Sequence, residues 1–265
     1  LNRFLSVLIF LCAAGTLLSV SVYHDHEKQR EAELAEKLNI SLKEDDGFSF
    51  TEIPAATAPF VPELNGTGYN YVGTNIAEEE IPLLVNEYHR LDEDYEADDL
   101  VSWNGSEYRL REEVCYFLNC LAVAAEDDGC GTMNVLSAYR PYSSQERLYT
   151  ARVNLFRSRY GDQAEVEAAR YVMYPGASEH QTGLCADVSN GYTLTTGFVR
   201  TKLGAWIRDH AHEYGFIVRY PKDKVDITKV TYEPWHIRYV GVKHATYIYE
   251  HGLCLEEYVE MLENQ

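Results

Sequence analysis

Basic residues are scarce in this 265-residue chain: 23 Lys and Arg stand against 42 Asp and Glu, a formal net charge of −19. Neutralising a nucleic-acid backbone needs clustered cations, so no nucleic-acid partner is expected, and a peripheral hold on anionic lipid is disfavoured for the same reason. Cysteine is sparse, with six residues in all. Beyond Cys12 the remaining five are an odd number, so at least one thiol stays unpaired within the chain. No internal repeat is apparent. With 46% hydrophobic and 12% aromatic residues, the chain is too apolar to be disordered from end to end.

Phe4 to Val22 runs without a charge. As a helix rising 1.5 Å per residue, this stretch spans roughly the 30 Å hydrocarbon core of a bilayer. No Ala-x-Ala cleavage site follows it, which favours an uncleaved anchor over a removed signal segment. Arg3 keeps the preceding end in the cytoplasm, so everything after Val22 is expected outside. Residues 1–26 are therefore read as membrane anchor or signal segment. Residues 27–80 are read as a charged juxtamembrane helix, Glu27 to Lys37, and a flexible linker. In the linker Pro54, Pro59 and Pro62 precede Gly66, Gly68 and Gly73. The globular domain is assigned to residues 81–265.

Within it helices and short strands interleave. Leu110, Val114, Phe117, Leu118, Leu121 and Ala125 form a helical stripe that predicts a core-facing helix over Arg109 to Glu126. Further helices are predicted from Ser143 with a capping box to Glu146, over Asp162 to Met173, over Phe198 to Tyr214, and over Val242 to His251. Strands are predicted at Met133 to Ala138, Leu184 to Val188, Phe216 to Arg219 and Val230 to Arg238. This pattern predicts an α+β fold with a small antiparallel sheet flanked by helices.

Chemistry concentrates in two stretches. In Ser178-Glu179-His180-Gln181-Thr182-Gly183-Leu184-Cys185-Ala186-Asp187 a His on a glycine-containing loop precedes an Asp on an apolar strand. A buried Asp is costly without a cation or hydrogen bonds to compensate it. In Glu233-Pro234-Trp235-His236 a carboxylate stands three residues before a His. His180, Asp187 and His236 supply two imidazoles and a carboxylate, which leave a fourth position for water, and Glu233 is free to act as base. Glu233 and His236 would face opposite ways on a regular strand, so a bend at Pro234 is required. The remaining histidines are read as ordinary helix-face or surface residues.

A third stretch, Ser137-Ala138-Tyr139-Arg140-Pro141-Tyr142-Ser143-Ser144-Gln145, completes an ordered set. With it the chain resembles the VanY-type D-alanyl-D-alanine carboxypeptidases, zinc peptidases related in fold to lysostaphin-type enzymes and hedgehog domains. Leu84-Val85-Asn86, Asp99-Leu100-Val101 and Tyr214 to Pro221 extend the likeness over residues 81–265. The resemblance implies a hedgehog/D,D-peptidase-like zinc fold, Zn2+ on His180, Asp187 and His236, and Glu233 as catalytic base. It further implies that Arg140 acts near the scissile carbonyl and that Gln145 and Ser178 bind substrate near the peptide terminus. The implied partners are peptidoglycan stem peptides, met by a monomer outside the cell. An L,D-carboxypeptidase trimming tetrapeptide stems and a non-catalytic peptidoglycan-binding module are the alternatives. Trp235 and Tyr239 are read as packing residues. Cys185 departs from the family pattern, which has a small residue there; it is read as a buried hydrophobe, or as a thiolate near the metal.

Overall fold

The computed structural model describes residues 82–264. The expected anchor, juxtamembrane helix and linker lie outside the described residues, and among those described no helix is long and apolar enough to cross a membrane.

A short hairpin comes first, with β1 (Leu100–Ser102) antiparallel to β2 (Arg109–Arg111). Arg109 to Arg111 are thus strand, and α1 begins at Glu112 rather than Arg109, running Glu112–Asp127. Two acidic residues, Glu112 and Glu113, open it, where the helix dipole favours negative charge. It stops at Gly129, whose φ of +72° is a conformation that glycine adopts without steric cost. The predicted stripe is buried at Val114, Leu118, Leu121 and Ala125, while Phe117 stacks on Tyr239 with ring centroids 5.3 Å apart. Each fully buried Leu contributes roughly 1.5–3 kcal/mol of burial free energy.

A four-stranded antiparallel sheet carries the rest: β3 (Asn134–Ser137), β4 (Cys185–Ser189), β5 (Phe216–Tyr220) and β6 (Glu233–Tyr239), in the order β3-β4-β6-β5. β4 is buried along its whole length. It lies between two neighbours, so both its faces are covered, Asp187 and Ser189 included. β6 starts at Glu233, three residues later than the sequence predicts.

The helices differ from expectation in instructive ways. α2 (Tyr142–Tyr160) starts after an extended Pro141, and no side chain caps it; the backbone N–H groups of Ser144 and Gln145 bond the Pro141 carbonyl instead of forming the expected box. The helix predicted over Asp162 to Met173 contracts to a 3-10 turn and α3 (Ala164–Ala169). The one predicted over Phe198 to Tyr214 breaks into 3-10 turns at either end of α4 (Lys202–His210). Thr201 causes the first break: its Oγ1 accepts the Gly204 N–H at 3.0 Å as an N-cap. The chain closes through α5 (Val225–Thr228), α6 (Val242–Glu250) and α7 (Leu255–Glu263). The sequence reading did not anticipate α7, although Leu255 and Tyr258 bury its inner face.

Candidate metal centre and active site

The β4/β6 register makes the site. Asp187 stands directly opposite His236, Ala186 opposite Ile237 and Cys185 opposite Arg238. Opposed residues in an antiparallel pair share a face, so Asp187 and His236 meet although 49 positions separate them. His180 arrives from the 3-10 turn Glu179–Thr182 that leads into β4. The Arg140 N–H donates to the His180 carbonyl at 2.9 Å and ties that turn to the β3–α2 connection.

The three expected ligands converge. Asp187 Oδ1 lies 3.0 Å from His236 Nδ1, and Asp187 Oδ2 lies 3.3 Å from His180 Nε2. Asp187 thus faces the two rings with one oxygen each, while the ligand atoms that cluster within 4.8 Å of one another are those of His180, Cys185 and His236. The imidazoles stand edge to face, centroids 5.0 Å apart. His180 Nδ1 is 2.7 Å from the Ala138 carbonyl, which can only accept. Nδ1 therefore carries the proton, and the Nε2 lone pair is left for a metal. Cys185 Sγ joins the same cluster, within 4.8 Å of nitrogens of both His180 and His236.

Charge compensates charge here. Burial alone would raise the Asp187 carboxyl, but the imidazoles of His180 and His236, both pushed up and protonated as long as they bind no metal, outweigh it and hold the group well below the usual carboxylate range. Burial likewise opposes ionisation of the Cys185 thiol, yet the same two rings bring it down to about 7. Glu233 behaves the other way: burial pushes it up to about 7 against the pull of His236.

Glu233 reaches this neighbourhood because the β5/β6 ladder slips. β6 takes four steps, from Ile237 to Glu233, where β5 takes two, from Val218 to Tyr220. The bend required around Pro234 is thus present as a bulge. Trp235 is half-buried, and Tyr239 is buried with its hydroxyl donating to Glu113 Oε1 at 2.7 Å.

Arg140 is fixed from two sides, donating to Gln145 Oε1 at 2.7 Å and Ser137 Oγ at 2.9 Å. Gln145 in turn donates to the Met173 carbonyl at 2.6 Å and is 1% exposed. Its amide is engaged with the protein on both sides, so the structure places Gln145 behind Arg140. Ser178 is buried at the start of the 3-10 turn that carries His180.

The sequence reading missed Glu179. It is 0% exposed, and its Oε1 takes the Arg219 Nε at 2.7 Å and pairs with Arg238 Nη1 at 2.8 Å. Its other oxygen, Oε2, faces His236 Nε2 at 3.6 Å. Although burial opposes it, the charges of Arg219 and Arg238 hold Glu179 well below the usual carboxylate range. Arg219 also makes a bidentate pair with Glu256 at 2.8 and 2.7 Å. The signal lay in the strands: an Arg inside Phe216–Tyr220 and another inside Glu233–Tyr239 require a buried anion. The five cysteines among the described residues are all free. His210, His244 and His251 are bonded to Glu213, Tyr258 and the Tyr247 carbonyl, outside this cluster.

Comparison with known proteins agrees with the geometry. A family model described as VanY, D-alanyl-D-alanine carboxypeptidase, matches residues 107–242. A Bacillus subtilis protein named as a carboxypeptidase, YodJ, is 42% identical over 193 residues, covering 69% of this chain and 68% of its own length. The chain spans about two-thirds of the length of the curated relatives it matches. Among solved structures, the LdcB LD-carboxypeptidase superposes with a TM-score of 0.62 at 41% identity, over 69% of this chain and 87% of that one. The vancomycin-resistance D,D-pentapeptidase VanY in complex with Zn(II) gives 0.59 at 35% identity, over 67% and 98%. With the motif-bearing residues inside the matched span, this chain belongs to the VanY family of D-alanyl-D-alanine carboxypeptidases.

Proposed function

We propose that this chain is a zinc-dependent D-alanyl-D-alanine carboxypeptidase that removes the terminal D-alanine from peptidoglycan stem peptides. We place it outside the cell, with residues 1–26 as its membrane anchor and residues 27–80 as the spacer that gives the domain reach. The observation that carries the activity is the meeting of Asp187 with both imidazoles beside β6, whose bulge against β5 brings in Glu233. Family membership and a neighbour crystallised with Zn(II) support the same reading.

His180, Asp187 and His236 would hold the zinc ion. When bound, zinc supplies a Lewis acid that acidifies water and polarises a carbonyl. Glu233 takes the proton of the attacking water and returns it to the leaving amine. Its burial tunes it for this work, since a base is most effective when its pKa lies near the working pH. Arg140, anchored by Ser137 and Gln145, keeps guanidinium donors to spare and offsets the negative charge that develops on the carbonyl oxygen. Gln145 thus acts on substrate through Arg140, and Ser178 lines the approach of the peptide terminus.

A second reading, cleavage of tetrapeptide stems by an L,D-carboxypeptidase, is favoured by the LdcB structure, which matches at higher identity than the D,D-pentapeptidase. Incubating the protein with defined penta- and tetrapeptide stems, with and without chelator, and weighing the products decides between them. Loss of a terminal D-alanine from the pentapeptide, abolished by chelator, is the expected result. Shortening of the tetrapeptide alone would replace the D,D assignment with the L,D one.

A further inference from the structure

Cys185 is 0% exposed and sits two residues before Asp187 on β4, so their side chains leave the strand on the same face. Its sulfur lies within 4.8 Å of nitrogens of both His180 and His236, which face Asp187 at 3.3 and 3.0 Å. Two imidazole nitrogens and one sulfur therefore cluster, with the Asp187 carboxylate turned towards both rings, one oxygen to each. A small aliphatic residue at position 185 would leave only the imidazoles and the carboxylate.

We propose that Cys185 is a sulfur donor of this metal centre. The inference rests on the metal reading of the site given above and deepens it. Thiolate reaches a zinc-like ion at about 2.3 Å, some 0.2–0.3 Å farther than imidazole, so a sulfur within 4.8 Å of both nitrogens can share an ion with them. On binding, the thiol releases its proton to solvent and its sulfur lone pair forms the bond to the cation, with no change in oxidation state. Two consequences distinguish this centre from one with three protein ligands. A sulfur donor biases the site towards softer divalent ions. A sulfur donor would also occupy a position on the ion that water could otherwise take, so Cys185 would compete with the attacking water for the centre.

The test uses the full chain, stripped of metal and reloaded with Co(II) as a spectroscopic probe. A sulfur bound to cobalt gives an intense charge-transfer absorption in the near ultraviolet, while imidazole and carboxylate ligands give only the weaker visible bands. The wild-type protein is expected to show the ultraviolet band. C185A and C185S are expected to lose it while retaining the visible bands of bound cobalt. Serine keeps the side-chain shape at a slightly smaller volume and replaces the sulfur donor with oxygen, and the visible bands of bound cobalt show that the variant is folded. A wild-type cobalt protein with visible bands and no ultraviolet band overturns the proposal without reference to any variant. A band that survives in C185A and C185S overturns it as well, by assigning the sulfur to another thiol. A chain that takes up no cobalt at all overturns the metal reading itself, and this proposal with it.

Discussion

Replacing Glu179 with Gln tests how the ligand His236 is held. The substitution keeps the shape of the side chain and removes one negative charge from a cluster in which Arg219 and Arg238 are balanced by Glu179 and Glu256. Glu179, Arg219 and Arg238 have no exposed side-chain surface, so solvent cannot take over the lost charge. Breaking a buried pair by removing one partner costs about 3–5 kcal/mol. With urea m-values of about 1–3 kcal/mol/M, the unfolding midpoint should fall by roughly 1–5 M. The amide also turns a donor towards His236 Nε2, which carries the proton when Nδ1 binds metal. Loss of such an outer partner typically weakens metal affinity by about 10–100-fold, to be read by zinc competition against a chromogenic chelator. The pH dependence has a definite sign. A carboxyl held low in the folded state stabilises the protein above its unfolded pKa of about 4.3, and that contribution fades as the pH falls below it. Wild type and E179Q should therefore converge in stability in acid. A variant with an unchanged urea midpoint and unchanged zinc affinity at neutral pH would refute the role assigned to this carboxylate.

Three further outcomes are expected. Glu233→Gln should keep zinc content and unfolding midpoint near wild type while turnover falls by roughly two to four orders of magnitude. Because burial raises Glu233 to about 7 and only its carboxylate form accepts a proton, wild-type kcat/KM should climb with pH up to about 7; loss of zinc in the variant would make Glu233 a ligand instead. Gly204→Ala should lower Tm, at a cost of about 1–3 kcal/mol, since its Cβ would stand 2.1 Å from the Phe198 carbonyl oxygen, and an unchanged Tm would show that this turn yields freely.

The sequence made the site more legible than the helices. His180, Asp187 and His236 could be singled out because three ordered motifs resemble one family, and β4, β6 and the turn before β4 bring the three side chains together. The bend at Pro234 followed from spacing alone, since a base and a ligand three apart cannot share a face on a regular strand. Helix ends were read poorly where a local side chain competed with the helix. Thr201 stops the segment expected to run from Phe198, and the pairing of Arg109 with Ser102 converts the start of α1 into strand. Glu179 escaped notice for a different reason. Its partners Arg219 and Arg238 lie 40 and 59 positions away, and only the folded sheet brings them together.

The cross-strand meeting of Asp187 with His236 bears on how the sheet finds its alignment. Shifting β6 by one residue against β4 would turn every side chain of the strand to the opposite face and carry His236 away from Asp187. β4 is buried on both faces, so burial alone does not mark which alignment is the correct one. A cation gripped by both strands binds one alignment and not its neighbours, so it adds its binding free energy to the correct alignment alone. The ion thus proofreads the pairing of the two central strands before it ever meets a substrate.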